Sequence, residues 1–308
     1  MNLVFIFLSD FYKKKGIMNN QQERWLYFAL LCFVWGSSFI LMKKALLSVT
    51  PIQLGALRII FTAIFLLMVA TPSLKKIQKK HYKYVFYTAI AGTFIPGFLY
   101  AFALTNIDSS VVSILSSLTP FNTLIFGAMV FGFAFNRTQL YGILIGLIGT
   151  LILVLKGADL NPNQNYWYAL LIIIGSVGYA LNVNMIKKYL NDLNALSIVT
   201  GNFLILLVPA TIVLSCTDFF ATFDVNDDEL MQSLGYLMIL SIVGTGIAKT
   251  IYNKLVHISD PVFASSVTYV IPLVAIFWGV LDGEKLSPLQ IFGGVIILVG
   301  VYLVNKKK

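Results

Sequence analysis

Two basic side chains, Arg58 and Lys249, lie within long apolar segments of the sequence. A charge inside a membrane is costly, so it marks a functional site unless the side chain reaches the membrane surface. Lys249 continues a polar stripe of Ser241, Thr245 and Tyr252 at helical spacing. No carboxylate falls in the middle of an apolar segment. The two cations therefore predict binding of an anionic group, such as a carboxylate, with snorkelling to the membrane surface as the alternative.

Aromatic and hydroxyl side chains complete the predicted site. Four aromatic residues are expected to form walls against the apolar part of a ligand, with ordinary aromatic packing as the alternative. These four are Trp35, Tyr100, Tyr252 and Tyr269. Together with the cations and the hydroxyl residues, the predicted substrate site comprises Trp35, Ser38, Arg58, Tyr100, Ser116, Thr245, Lys249, Tyr252, Thr268 and Tyr269.

A serine-rich motif occurs twice. The sequence DSSVVSILSSLTP ends at Pro120. A similar sequence, DPVFASSVTYVIP, follows about 152 residues later and ends at Pro272. Each proline removes the hydrogen bond to the carbonyl four residues earlier, so we expect bent helices and free carbonyls at Ser116 and Thr268. Free carbonyls in a membrane need protein or water beside them, which predicts a polar cavity. Close packing of helices through small residues is the alternative.

Composition places the chain in a membrane. It has 308 residues, of which 58% are hydrophobic and 11% charged, far from the balance of a soluble domain. The net charge of +9 has no basic domain to carry it, so no nucleic-acid partner is expected. His81 and His257 are far apart in the sequence and form no metal-binding motif. No metal, cofactor or catalytic residue is therefore predicted.

Hydrophobic segments of about 20 residues predict ten membrane-spanning helices. The predicted spans are 25–46, 51–71, 82–104, 109–131, 138–155, 167–186, 195–216, 230–255, 261–281 and 288–304. With the N-terminus inside, sixteen Lys and Arg residues fall in cytoplasmic segments and four in external ones. This bias predicts a multi-pass protein of the plasma (inner) membrane with both termini in the cytoplasm.

The two motifs divide the chain into two repeats of five helices, 25–157 and 166–305. Because five is odd, the second repeat must enter the membrane from the opposite side, so the sequence predicts inverted repeats around a central cavity. Residues 1–24 are expected to be a cytoplasmic extension, with Met18 as the expected start, and residues 306–308 a basic cytoplasmic tail. Glycines in the fifth and tenth spans are expected to pack helices outside the pathway.

The chain resembles the drug/metabolite transporter superfamily, in particular the EamA-type permeases of ten spans. The resemblance is carried by WGSSF at 35–39, Leu57-Arg58, the serine stripe before Pro120, ASSVTYVIP at 264–272 and GEKLSP at 283–288. It implies helices one to four and six to nine around a cavity, with five and ten at the edge. The family's Gly-Glu pair after the fourth span is absent here, and Lys249 stands where the family more often has an apolar or aromatic residue.

These observations predict a secondary transporter that exports small polar metabolites, such as amino acids or organic acids, by alternating access. The alternative is an importer or exchanger of the same superfamily, similar to nucleotide-sugar or triose-phosphate antiporters, and the remote alternative is an intramembrane enzyme. The expected partners are a small-molecule substrate and the lipid bilayer. The sequence leaves the oligomeric state open, with a monomer as one expectation.

Overall fold

A computed structural model describes residues 20–107, 112–113, 115–158, 166–281 and 288–305. Within these residues the fold is entirely helical, with no strand. The helices are α1 (Asn20–Ala45), α2 (Pro51–Ala70), α3 (Lys79–Leu104), α4 (Thr119–Met129), α5 (Arg137–Ala158), α6 (Ala169–Tyr189), α7 (Ala195–Ser215), α8 (Asp228–Ile258), α9 (Pro261–Ser265), α10 (Val267–Leu281) and α11 (Pro288–Asn305). Residues 1–19 of the expected N-terminal extension, with Met18, lie outside the described residues, whereas residues 20–24 belong to α1. Residues 108–111 and 114 of the first serine motif, the segment 282–287 and the predicted tail 306–308 also lie outside them.

Six of the described helices, α1, α2, α3, α6, α7 and α8, are long and apolar enough to cross a membrane. Together they make this a multi-pass integral membrane protein. The other four predicted spans correspond to α4, α5, α10 with the preceding α9, and α11, which are interrupted or border residues outside the described set.

Local sequence explains where the helices begin. At the start of α2 the side chains of Thr50 and Gln53 each accept a hydrogen bond from the other's backbone N–H, and Pro51 follows the cap. The side chains of Asn194 and Asp260 cap α7 and α9 in the same way, by accepting from backbone N–H groups three residues later.

The helices α5 and α11 pack backbone to backbone. A Cβ atom added to Gly142 would lie 2.7 Å from the backbone nitrogen of Val304, and one added to Gly300 would lie 2.6 Å from that of Gly146. Such an approach is possible because glycine has no side chain. The pair forms one edge of the bundle.

Both serine-motif helices are interrupted before their prolines. In the first motif a 3₁₀ turn, Ser116–Leu118, precedes α4, and Pro120 lies in its first turn. In the second motif the break lies between α9 and α10 at Ser266, and Pro272 is inside α10.

The expectation that neither carbonyl has a partner within its own helical segment is wrong for Ser116 but not for Thr268. The Ser116 carbonyl accepts hydrogen bonds from the N–H and the hydroxyl of Thr119, at 2.6 Å for the hydroxyl. The Thr268 carbonyl accepts one from the hydroxyl of Ser117 at 2.9 Å. Hydroxyl side chains of the protein therefore satisfy both carbonyls.

An ion pair joins the start of α3 to the loop before α7. Lys80 Nζ lies 2.5 Å from Asp192, and His81 Nε2 lies 3.2 Å from both oxygens of the same carboxylate. Hydrogen bonds from Lys80 and then His81 lower the pKa of Asp192 to about 2, so this carboxylate stays charged at every physiological pH. The contact ties the two halves of the chain together at one end of the bundle.

Candidate functional site

A cavity of about 100 Å³ lies among seven helices. Its lining is rich in aromatic and polar side chains, with two cations. The lining residues are Trp35, Ser38, Phe39, Met42, Arg58, Tyr100, Ser116, Thr119, Tyr179, Asn182, Lys249, Tyr252, Asn253, Thr268 and Ile271. None of the described residues of α5 or α11 lines it, which agrees with the edge position of that pair.

The cavity has two similar aromatic walls. Trp35 packs against Tyr252 with ring centroids 5.0 Å apart, and Tyr179 packs against Tyr100 at 5.6 Å. Tyr179 follows Trp35 by 144 residues, and Tyr252 follows Tyr100 by 152. The two halves of the chain therefore supply matching walls, while Arg58 has no basic counterpart in the second half.

Two π-turns lie beside the cavity. The regular α-helical hydrogen bonding of α3 is interrupted by the π-turn Ile90–Phe94. That of α8 is interrupted by the π-turn Ile242–Ile247. Such turns insert one residue into a helix and are frequent at functional sites. Here they place acceptor groups next to the two cations.

Arg58 bonds to the π-turn of α8. Its Nε donates to the hydroxyl of Thr245 at 2.8 Å, and its Nη1 lies 3.9 Å from the sulfur of Met42. A guanidinium carries five N–H donors, so most of its capacity is unused by described residues. Arg58 also lines the cavity.

Lys249 bonds to the π-turn of α3. Its ammonium donates to the carbonyl of Gly92 and, at 2.8 Å, to the hydroxyl of Thr93. The ring of Tyr179 lies 6.0 Å from the same nitrogen. All of these partners are neutral, so among the described residues no carboxylate balances either cation at the cavity.

Polar groups of the cavity are available to a ligand, and one of them is buried with no hydrogen-bond partner within the described part of the chain. The hydroxyl of Tyr100 is buried without one, although the residue is only 6% exposed. The amides of Asn182 and Asn253 also line the cavity and are buried. A buried polar group without a partner costs free energy, so the Tyr100 hydroxyl is ready to bind a polar ligand.

The structure brings together most of the predicted site. Eight predicted residues line the cavity: Trp35, Ser38, Arg58, Tyr100, Ser116, Lys249, Tyr252 and Thr268. Thr245 lies just behind this wall and binds Arg58. The assignment of Tyr269 to the wall needs correction, because its hydroxyl donates to the Ile143 carbonyl at 3.2 Å and its ring packs on Gly146 of α5.

Sequence reasoning missed Tyr179, Asn182 and Asn253. A signal for the first two was present, because Tyr179 and Asn182 follow Trp35 and Ser38 by the same 144 residues. The spacing differs from the 152 residues of the serine motifs, so a single repeat offset does not reveal it.

In the described residues no group of three or more His, Cys, Asp or Glu side chains could hold a metal ion.

An all-helical membrane bundle around a small polar cavity is the architecture of a small-molecule transporter. The chain belongs to the EamA-like transporter family, whose model matches residues 24–155 and again residues 166–306. The family that the sequence motifs suggested is therefore confirmed.

The chain is similar to several bacterial transporters along nearly its whole length. It is 26% identical to the "Uncharacterized inner membrane transporter YedA" of Escherichia coli K12, covering 90% of this chain and 91% of that one. It is 26% identical to the "Probable amino-acid metabolite efflux pump" of Salmonella typhimurium, covering 89% and 92%. It is 23% identical to the "S-adenosylmethionine/S-adenosylhomocysteine transporter" of Chlamydia muridarum, covering 89% of each.

A solved crystal structure shares the fold. The TM-score is 0.70 at 16% sequence identity, and the match covers 91% of this chain and 95% of the other. At that identity the likeness concerns the fold alone.

Proposed function

We propose that this protein is a secondary transporter of the plasma membrane that exports small polar metabolites bearing a carboxylate, such as amino acids or organic acids. One observation carries the proposal: Arg58 and Lys249 line the same cavity, and among its described lining residues there is no carboxylate. A charge kept away from water needs a compensating partner. An anionic substrate supplies that partner.

The other lining residues have roles that follow from their chemistry. The aromatic pair of Trp35 and Tyr252 contacts the apolar part of the substrate. The Tyr100 hydroxyl and the amides of Asn182 and Asn253 bind its remaining polar groups. None of these residues is assigned a chemical step on the substrate, so the proposed activity is transport without catalysis.

Cavity size favours a small substrate. A volume of about 100 Å³ is well below the roughly 300–1,000 Å³ of pockets that hold drug-sized ligands. An amino acid or short organic acid suits this size better than a nucleotide sugar. The name of the efflux relative from Salmonella typhimurium supports the same class and direction.

Alternating access is supported by the double match of the family model. We propose ten spanning helices in two inverted repeats, with both termini cytoplasmic. The site near their interface then opens to either side as one repeat moves against the other.

The test compares metabolites in the medium of cells that overexpress the protein with those of deletion cells, followed by flux in proteoliposomes. We expect accumulation of carboxylated metabolites outside the overexpressing cells and outward flux of the same compounds. Inward net flux in oriented vesicles would favour the importer. Transport of amides as fast as that of the matching carboxylates would exclude the anion site.

A further inference from the structure

The two π-turns occupy matching places in the two halves of the chain. Each contains a Gly-Thr pair, Gly92-Thr93 in α3 and Gly244-Thr245 in α8, and the pairs are 152 residues apart. This is the same spacing that relates the serine motifs. Both threonines are buried.

Each Gly-Thr pair accepts hydrogen bonds from the other half of the chain. Lys249, in the second half, donates to Gly92 and Thr93. In the first half, Arg58 donates to the Thr245 hydroxyl at 2.8 Å and the Trp35 indole donates to the Gly244 carbonyl at 3.0 Å. All three donors also line the substrate cavity.

A second, smaller cavity lies on the far side of the cations. Its volume is about 20 Å³, enough for about one water molecule. Thr93 and Thr245 both line it, while Arg58, Lys249 and Tyr179 line both cavities. The two cations therefore lie between the two cavities. The threonine acceptors line the smaller cavity, and the substrate would occupy the larger one.

We propose that these reciprocal contacts form a latch, closed in the empty transporter, which an anionic substrate opens by drawing Lys249 and Arg58 away from Thr93 and Thr245. A carboxylate forms stronger, charge-assisted hydrogen bonds than a carbonyl or hydroxyl does. A carboxylate that binds Arg58 through both Nε and Nη2 must displace the Thr245 hydroxyl from Nε. Substrate binding then releases these two contacts between the halves, which couples occupancy to their relative movement.

The inference rests on the proposed function and assigns affinity control to two threonines that do not line the substrate cavity. Because the latch competes with the substrate, removal of an acceptor should tighten binding. A residue that merely holds a cation in its binding geometry has the opposite effect. The sign of the change in Kd separates the two roles.

The first experiment measures Kd by thermal stabilisation of the purified full chain. The probes are succinate and L-alanine, with succinamide and L-alaninamide as counterparts without the carboxylate. Thr93→Val and Thr245→Val should each lower Kd for the carboxylated probes about ten- to a hundredfold, as expected for loss of a competing hydrogen bond to a charged group. Thr93→Ser and Thr245→Ser should restore the original Kd.

The matched control is Thr211→Val, which makes the same chemical change at an exposed hydroxyl that bonds within α7. It should leave every Kd unchanged. A raised or unaltered Kd in both threonine-to-valine variants of the π-turns would overturn the latch.

The second experiment needs no substrate. Hydrogen–deuterium exchange of the empty protein in nanodiscs should rise around Lys249 in α8 in Thr93→Val and around Arg58 in α2 in Thr245→Val, because each contact joins a π-turn to the helix that carries the cation. Exchange that rises only in the substituted helix overturns the latch. If this reciprocity is found while no carboxylated probe binds the unsubstituted protein, the proposed substrate class fails and the latch stands.

Discussion

Arg58 and Lys249 bring different hydrogen-bonding geometry to one cavity. The arginine offers a rigid fork that fits a carboxylate with two parallel bonds, whereas the lysine offers a compact charge on a flexible stem. Arg58 reaches the cavity from α2 and Lys249 from α8, so an anion between them contacts both halves of the chain.

Lys249→Gln should raise the Kd or KM for a carboxylated substrate about ten- to a hundredfold, because a hydrogen bond to a charged group is lost while most of the side-chain length remains. Folding should change little, since glutamine can still donate to the Gly92 carbonyl. Transport per folded molecule, measured in proteoliposomes, checks the expectation. Lys83→Gln is the matched control, because Lys83 is an exposed lysine away from the cavity.

Arg58→Gln should weaken the same substrates, because Arg58 lines the cavity beside Lys249. A variant that lowers the amount of folded protein but transports normally per molecule would identify Arg58 as a packing residue. If transport is unchanged in both the Arg58 and the Lys249 variants, the anion site is refuted.

Tyr100→Phe should separate binding from stability. The Tyr100 hydroxyl is buried without a described partner, so its removal should leave the melting temperature unchanged or slightly higher. If the hydroxyl binds substrate, KM should rise severalfold in the same variant. A fall in melting temperature with unchanged KM would instead assign the hydroxyl a structural role.

Charged residues of the site are easier to identify from the sequence than its aromatic residues. An intramembrane charge such as Lys249 stands out because its cost is high, whatever the fold around it. The sequence does not distinguish aromatic side chains that contact a ligand from those that pack in the core, because both roles use the same residue types. Tyr252 faces the cavity while Tyr269 packs on α5, and only the relative rotation of the two helices distinguishes them.

At the scale of elements, helix existence follows from apolar length, but breaks within helices do not. Pro272 lies inside α10, whereas the interruption of this motif lies at Ser266, where no proline marks it. Proline removes one hydrogen bond, and a neighbouring hydroxyl can compensate, as that of Ser117 does at the Thr268 carbonyl. The π-turns of α3 and α8 carry no proline at all within them. They accept hydrogen bonds from Arg58, Lys249 and Trp35, each of which the fold brings to a turn distant from it in the sequence.

The contact of α5 with α11 depends on the absence of a Cβ atom at Gly142. Gly142→Val should destabilise the protein by about 1–3 kcal/mol, since the added atoms would overlap the backbone of α11. Gly235→Val is the matched control, because a Cβ atom there meets nothing within 4 Å. Melting temperature and KM should be measured together. A changed KM in the surviving Gly142→Val protein would contradict the edge position of α5.

At the scale of the whole molecule, the repeated motifs make the family predictable from sequence. The spacing of 152 residues relates Tyr100 to Tyr252 and Ser116 to Thr268, and the structure places both pairs at the same cavity. The spacing of 144 residues that relates Trp35 to Tyr179 is hidden, because the two halves differ in loop length between their first and third helices. No single repeat spacing in the sequence therefore identifies all the matching residues of the cavity, and the structure is needed to bring them together.

The distribution of basic residues predicts the orientation of the protein in the membrane. Sixteen Lys and Arg residues in the segments assigned to the cytoplasm, against four outside, predict that the loop between α7 and α8 is external and that the start of α3 is cytoplasmic. The native Cys216 is exposed and is replaced by serine, while Cys32 is buried and should not react. In that background Val225→Cys should react in intact cells with an impermeant thiol reagent, and Lys79→Cys should react only after the membrane is opened.

Val225 suits this test because it is 66% exposed and lies beside, not at, the Asp227 side chain that caps α8. Lys79 is exposed at the first turn of α3. Reaction of Lys79→Cys but not of Val225→Cys in intact cells would invert the topology. It would also invert the assignment of export and import, because the same cavity would then open to the opposite compartment at each step. Equal reaction of both would show that the chain inserts in two orientations, as its repeated halves permit when the charge bias is weak.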